Sequence, residues 1–181
     1  SIMPVPSLID REMCEIAWEM IGPVVRFMNE RDEKGAGHVI VLNPAVPFEP
    51  KYHGRIDDPE FVGMFFDEVV IYDAPVGAPG KKFFDTALNK AYVSFVTGVE
   101  SHRVQVDAPW AYEPGMTKWG GSAVKSLGNS RLIVAYSGHT EIVDRMISRM
   151  LAEAIEALTC TRMRGIMESE ERLLPESILV G

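Results

Sequence analysis

The sequence predicts an α+β domain in which helices pack on an antiparallel sheet. Three segments carry apolar residues at helical spacing, and short apolar runs between them are typical of strands. Leu127-Gly128-Asn129 separates two of these runs, and Gly and Asn favour the backbone angles of a tight hairpin turn. The order helix, strand, strand, helix, hairpin, helix therefore predicts helices that cover one sheet.

The first helical segment extends from Ser7 to Arg31. We expect Ser7 to cap it, with Asp10 completing a box-like start, and Pro23 to kink it by removing a backbone donor. Two further helices are predicted from about Lys81 to Val96 and from Glu141 to about Cys160. The predicted strands are residues 38–42, 68–74, 119–126 and 131–137, of which the last two pair as a hairpin.

One domain is expected from residue 3 to residue 181, with Met3 as the natural start. Residues 43–67 contain four prolines, so we expect an inserted excursion with a short helix around residues 60–66. A second irregular stretch covers residues 98–116. A polar tail from about residue 165 ends in SILVG, which we expect to fold back or to dock on a neighbouring subunit.

Composition limits the function classes. The 181 residues carry a net charge of −8, which argues against nucleic acid or an anionic membrane as a partner. No apolar run is long enough to span a bilayer, and no signal-peptide pattern precedes the first helix. The two cysteines fall in helical patterns without a Cys-x-x-Cys motif, so a reduced, cytoplasmic setting is predicted.

The strand-to-helix joint Ser137-Gly138-His139-Thr140 is the first candidate site. The first turn of a helix presents free N–H groups and a partial positive charge, which together attract a carboxylate or a phosphate. Alternatively, Glu141 and Asp144 already satisfy this helix end. His139 could donate a hydrogen bond, act as a general acid or base, or bind a metal or heme, or it could be a partly exposed turn residue.

Three further positions are candidates. The pair Gly120-Gly121 after Trp119 allows a close backbone approach, either to a ligand carboxylate or within a strand bulge. Lys90 lies at the margin of a helix, where a lysine is usually solvated. Asp73, at a strand end, could be a general base or a turn former. The four histidines show no metal-like spacing, so no metal site is predicted.

Three stretches together resemble the family that includes GlcG, HbpS and the C-terminal domain of PduO. They are YDAPVGAPGKKFFDTALNKAYVSF, PGMTKWGGSAV and LIVAYSGHTEIVDRMISRMLAEAI. The resemblance implies a profilin-like fold with about five antiparallel strands, frequent homo-oligomers, and heme binding in some members. It also matches Lys90 to a lysine of the family. This match implies that Lys90 contacts an anion near Gly120 and Gly121. The sequence departs from the family in three places. The insertion at residues 43–67 is long, Gly-Gly-Ser stands where the family has Gly-Gly-Gly, and His139 stands where the family has a small residue after Ser-Gly.

These observations lead to a prediction with two alternatives. The predicted function is binding of a small carboxylated ligand, with heme or another tetrapyrrole as candidates, by Lys90, Trp119, Gly120, Gly121, Ser137, Gly138 and His139. One alternative is an enzyme acting on a small organic acid, in which His139 and Asp73 move protons and the insertion closes as a lid. The other is an assembly role, with Trp110, Tyr112 and Phe65 packed between subunits.

Overall fold

The computed structural model describes residues 5–173, and side chains for residues 5–170. Its strands are β1 Gly37–Leu42, β2 Val70–Val76, β3 Ser122–Leu127 and β4 Ser130–Ser137. Its helices are α1 Arg11–Arg31, α2 Pro59–Val69, α3 Gly80–Thr97, α4 Val104–Asp107 and α5 Glu141–Leu173. The strand order is β2-β1-β4-β3, with every pair antiparallel. The predicted α+β class is confirmed, with four strands in the described part of the chain instead of about five.

The sheet is covered on both faces, which explains why β1 is apolar at every position except His38. Val39 and Val41 of β1 belong to the core formed with α1 and α5. Ile40 and Leu42, which alternate with them, belong to the core formed with α2 and α3. The sheet therefore separates a face covered by α1 and α5 from a face covered by α2 and α3.

Helix α1 lies antiparallel to α5. It begins after Asp10, whose side chain accepts a hydrogen bond from the Met13 amide at 2.8 Å, whereas Ser7 lies in a preceding 3-10 turn. Arg162 of α5 bonds Asp10 at 2.8 Å. Helix α5 continues past its predicted end to Leu173. The expected docking of the terminal SILVG lies outside the described residues.

The 43–67 insertion packs on α3. It contains a 3-10 turn at Pro50–Tyr52 and most of α2, which is longer than predicted and leads directly into β2. Phe65 of α2 is fully buried, and its ring contacts Tyr92 and Phe95 of α3. Phe65 is therefore a core residue and cannot pack between subunits, whereas Trp110 is exposed.

Tyr92 should hold the insertion in place through its hydroxyl. This oxygen donates to the Gly54 carbonyl at 2.7 Å and accepts from the Gly54 amide at 3.1 Å. We expect Tyr92→Phe to lower the free energy of unfolding by about 1–2 kcal/mol, because two part-buried backbone groups lose their partner. Hydrogen exchange should accelerate at residues 53–57 and not in β4. Unchanged exchange at these residues would show that aromatic packing alone holds the insertion.

Candidate functional site

A buried ion pair joins α3 to α5 at one end of the sheet. Lys90 Nζ donates to Asp144 Oδ2 at 3.0 Å and to the Tyr136 carbonyl at 3.0 Å. Both charged side chains are only 3% exposed. Lys90 is therefore not the solvated lysine of a helix margin, and it has no free path to a ligand.

Burial dominates the titration of this pair. Loss of water raises the pKa of Asp144 to about 6, although the charge and hydrogen bond of Lys90 act in the opposite direction. Burial likewise lowers the pKa of Lys90, against the attraction of Asp144. The two charges recover less from their contact than they lose by leaving water, which is common for ion pairs inside proteins.

Gly121 leaves room for the ion pair because it has no side chain. Its φ is +139°, and a Cβ there would lie 2.5 Å from Lys90 Nζ and 2.7 Å from the Tyr136 carbonyl oxygen. The Gly121 carbonyl accepts from the Tyr136 amide at 3.0 Å and from Ser148 Oγ at 2.6 Å. The close approach predicted for the two glycines is thus present, but the group that Gly121 approaches is the protein's own ion pair.

The candidate anion site is filled by carboxylates of the chain. The Gly120 amide donates to Glu141 Oε1, and the His139 amide donates to Asp144 Oδ1 at 2.9 Å. Ser137 and Gly138, the first two residues of the strand-to-helix joint, are buried. An external carboxylate would have to displace Glu141 or Asp144 before it could use these amides.

His139 is enclosed, with a side chain only 2% exposed. Its Nδ1 accepts from the Thr140 amide at 2.8 Å, which requires an unprotonated Nδ1 and leaves Nε2 to carry the ring proton. Nε2 lies 2.9 Å from Asp32 Oδ2 at the end of α1, but without the alignment of a hydrogen bond. His139 thus links the α5 joint to α1.

Asp73 lies apart from His139. Its Oδ2 is 2.7 Å from His38 Nε2, and the His38 ring meets the edge of Phe84 of α3 at 5.0 Å between centroids. This pair faces the α2 and α3 side of the sheet, whereas His139 contacts α1 on the other side. The structure therefore does not bring together the two residues that the enzyme hypothesis requires.

The remaining predicted residues gather around Asp144. Lys90, Gly121 and His139 each contact it, Gly120 is next to them, and Trp119 lies outside with an exposed ring. Sequence reasoning missed Asp144 as the partner of Lys90. The available signal is an acidic residue in the first turn of α5, a position where the helix dipole alone favours a carboxylate.

The insertion creates a cleft with α3 that the sequence did not locate. This α2–α3 cleft has a volume of about 490 Å³. Its apolar lining includes Ile56, Val62, Phe66, Phe84 and Leu88, and its polar lining includes Asp57, Lys81, Asp85 and Asn89. Gly63 of α2 faces it without a side chain, and nothing lies within 4 Å of a Cβ at that position.

Most polar groups of the α2–α3 cleft are already paired. Lys81 Nζ lies 3.3 Å from Asp85 at the mouth, and Asp57 pairs with Arg55. The Asn89 amide donates to the Gly115 carbonyl at 2.9 Å and accepts from the Thr117 amide at 2.9 Å. Lys81 is 87% exposed, so it remains able to exchange Asp85 for another anion.

A smaller cleft, of about 370 Å³, lies between residues 43–48 and the β3–β4 turn. Its lining is divided between apolar and polar groups and includes Arg131. The Arg131 guanidinium lies over Gly98, at the end of α3 where backbone carbonyls favour a cation. This helix end accounts for the position of Arg131 without a ligand.

Two structural properties bear on the partner classes. Among residues 5–170, no three His, Cys, Asp or Glu side chains are grouped as metal ligands would be. No helix in the described part of the chain has the length and apolar character needed to cross a membrane.

Comparison with known proteins gives matches among solved structures only. The sequence matches no known family and no curated protein. A crystal structure of a double mutant of HbpS from Streptomyces reticuli matches with a TM-score of 0.48 and 13% sequence identity, over 84% of this chain and 87% of that chain. At a TM-score below 0.5, this match assigns neither a family nor a ligand to the protein.

Proposed function

We propose that this chain binds a small, mainly apolar molecule with an acidic group in the α2–α3 cleft. The observation that carries the proposal is the combination of volume and lining in this cleft. About 490 Å³ is within the usual range for small-molecule sites. An apolar wall with a few polar groups at its edge is also typical of such sites.

The internal pairing around Asp144 supports this location over the glycine joint. A ligand carboxylate at the joint competes with Glu141 and Asp144, which are tethered and already in place. In the α2–α3 cleft, an acidic group needs only to reach Lys81 at the mouth. The acidic group of the ligand is therefore assigned to Lys81 and its apolar part to Phe66, Phe84 and Leu88.

The lining favours a compact ligand over heme. No His, Met or Cys belongs to the cleft lining, so a heme placed there has no axial side-chain ligand. Acid–base catalysis is also less well supported than binding, because His139 and Asp73 lie on opposite sides of the sheet. The His38–Asp73 contact lies behind Phe84, which would separate it from a bound molecule.

Two fluorescent probes test the proposal. Anilinonaphthalene sulfonate is an apolar anion of suitable size, and phenylnaphthylamine is its uncharged analogue. We expect Gly63→Leu to weaken binding of both by at least about 10-fold, because the new side chain occupies the cleft. The fold should be retained, since a Cβ at residue 63 meets no neighbour. Gly165→Leu is the matched control, as a second glycine in a helix with open space around it.

Two further variants separate the parts of the proposal. Lys81→Ala should weaken binding of the sulfonate severalfold and leave binding of the uncharged probe unchanged. If Arg131→Ala abolishes binding while Gly63→Leu does not, the ligand binds in the smaller cleft and our assignment is wrong. A hemin titration completes the set, and a Soret shift that depends on His139 would instead favour the glycine joint.

A further inference from the structure

An apolar stripe lies along the exposed side of α1. It consists of Ile16, Met20, Val24 and Phe27, which are spaced by three or four residues and therefore share one side of the helix. These residues are between 39% and 60% exposed. The exposed side of a helix normally carries polar residues, and a continuous apolar stripe marks a surface that another molecule covers.

Helix α5 widens this surface. An open groove of about 630 Å³ lies beside the stripe, between α1 and α5, and its apolar lining is Ile21, Ile142, Met146 and Met150. Ile142 is the most exposed of these four residues, at 75%. The stripe and the groove together form what we call the α1–α5 face, on the opposite side of the sheet from the α2–α3 cleft.

We propose that the α1–α5 face binds the same face of a second copy of this chain, with the two α1 helices antiparallel. A two-fold axis that passes between Met20 and Val24 sets Met20 against the partner's Val24. It also sets Ile16 beside the partner's Phe27. The apolar stripe is thus complementary to itself in this orientation, as a two-fold interface requires.

The charges on α1 favour the antiparallel orientation. Exposed acids dominate its first half, at Glu12, Glu15 and Glu19, and arginines follow in its second half, at Arg26 and Arg31. Arg11 and Glu30, near the two ends, are the exceptions. Antiparallel pairing brings Glu19 to the partner's Arg26, whereas parallel pairing would set like charges together. Neither Glu19 nor Arg26 has an ion pair among residues 5–170.

The charges along α5 also change sign, but in the opposite order, with arginines first and acids after them. Arg145 and Arg149 precede Glu153 on the side of α5 that carries the groove, where Arg149 also bonds Glu100 and Glu153 also bonds Lys125 of the same chain. Because the contacts Asp10–Arg162 and Asp32–His139 fix α5 antiparallel to α1, Met150 lies level with the midpoint of the stripe. The same two-fold axis therefore sets Arg149 near the partner's Glu153.

Self-complementary charge on α1 identifies a second copy as the occupant, because Glu19 and Arg26 have no ion-pair partner among residues 5–170. A different partner would leave the reversal of charge along α1 without a purpose. The face is about 30 Å long and about 20 Å wide, or on the order of 600 Å² per copy. That area is at the lower end of specific interfaces, so we expect a dimer with micromolar affinity.

Sedimentation equilibrium of the full chain tests the dimer. We expect a mass of twice 20.1 kDa at tens of micromolar. Met20→Glu with Val24→Glu should raise the dissociation constant more than about 100-fold, because four carboxylates then meet at the axis. Val106→Glu is the matched control, since Val106 is exposed and lies away from the face. Circular dichroism should show the same thermal midpoint for all three proteins at low concentration.

A charge exchange tests the orientation. Glu19→Arg and Arg26→Glu should each weaken the dimer severalfold, and the double variant should restore it. Failure of the double variant to restore it would overturn the antiparallel arrangement. A monomeric full chain would overturn the proposal, and if a chain ending at Leu173 then dimerised, residues 174–181 would be the occupant.

Discussion

Replacing Asp144 by Ala should lower the free energy of unfolding by about 3–5 kcal/mol at pH 7. The reason is the charge that remains. Lys90 stays in a position where its side chain is 3% exposed, with only the Tyr136 carbonyl as a partner. Equilibrium unfolding in urea measures the effect, and the midpoint should fall without a large change in slope.

Replacing both charges should recover most of the loss. We expect the double variant Lys90→Met, Asp144→Leu to lie within about 2 kcal/mol of the wild type, because the desolvation cost of both ions is removed while the His139 amide loses its acceptor. The comparison pair is Arg103 and Asp107, which is also bonded but about half exposed. Asp107→Ala should change stability far less than Asp144→Ala, because both partners are solvated. An Asp144→Ala effect as small as that of Asp107→Ala would mean that water reaches Lys90.

This expected result changes the meaning of a sequence prediction. Lys90 is a candidate for holding a ligand carboxylate, and the structure gives it an internal carboxylate instead. An anion does lie beside the lysine, the glycines and the helix start, but it belongs to the chain itself. The anion is Asp144, 54 residues away in the chain.

The helices and strands can be predicted from the sequence where burial makes apolar residues recur at a regular spacing. β1 is buried on both faces and is apolar at every position but one, and the spacing of apolar residues in α3 and α5 follows their packed sides. The end of α5 was not predictable in this way. Residues 165–170 of the helix are exposed, so no apolar period marks the continuation of the helix towards Leu173.

The site depends on contacts between distant segments, which a single sequence does not encode as a period. His38 and Asp73 meet because β1 and β2 pair in one register, and a shift of one residue would place them on opposite faces. The α2–α3 cleft exists because the insertion folds back on α3. The sequence predicts an irregular segment with a short helix around residues 60–66, but not the packing of that helix beside Phe84.

Gly121→Ala should be as damaging as the loss of Asp144, by about 3–5 kcal/mol. Two costs add at this position. A φ of +139° is one that residues with a side chain rarely adopt, and the new methyl group would lie 2.5 Å from Lys90 Nζ. Gly128→Ala isolates the first cost, because its φ is +62° and nothing lies within 4 Å of its Cβ. We expect that control to lose only about 1–2 kcal/mol.

A double-mutant cycle shows whether the steric cost comes from the ion pair. With Lys90 and Asp144 replaced by Met and Leu, the charged Nζ no longer lies beside Gly121, but the Tyr136 carbonyl remains 2.7 Å from the new methyl group. Gly121→Ala should therefore cost less in that background by at least about 1 kcal/mol, although not zero. Equal costs in both backgrounds would assign the glycine to the backbone turn alone. A reduced cost would show that Gly121 is required because a buried lysine lies beneath it.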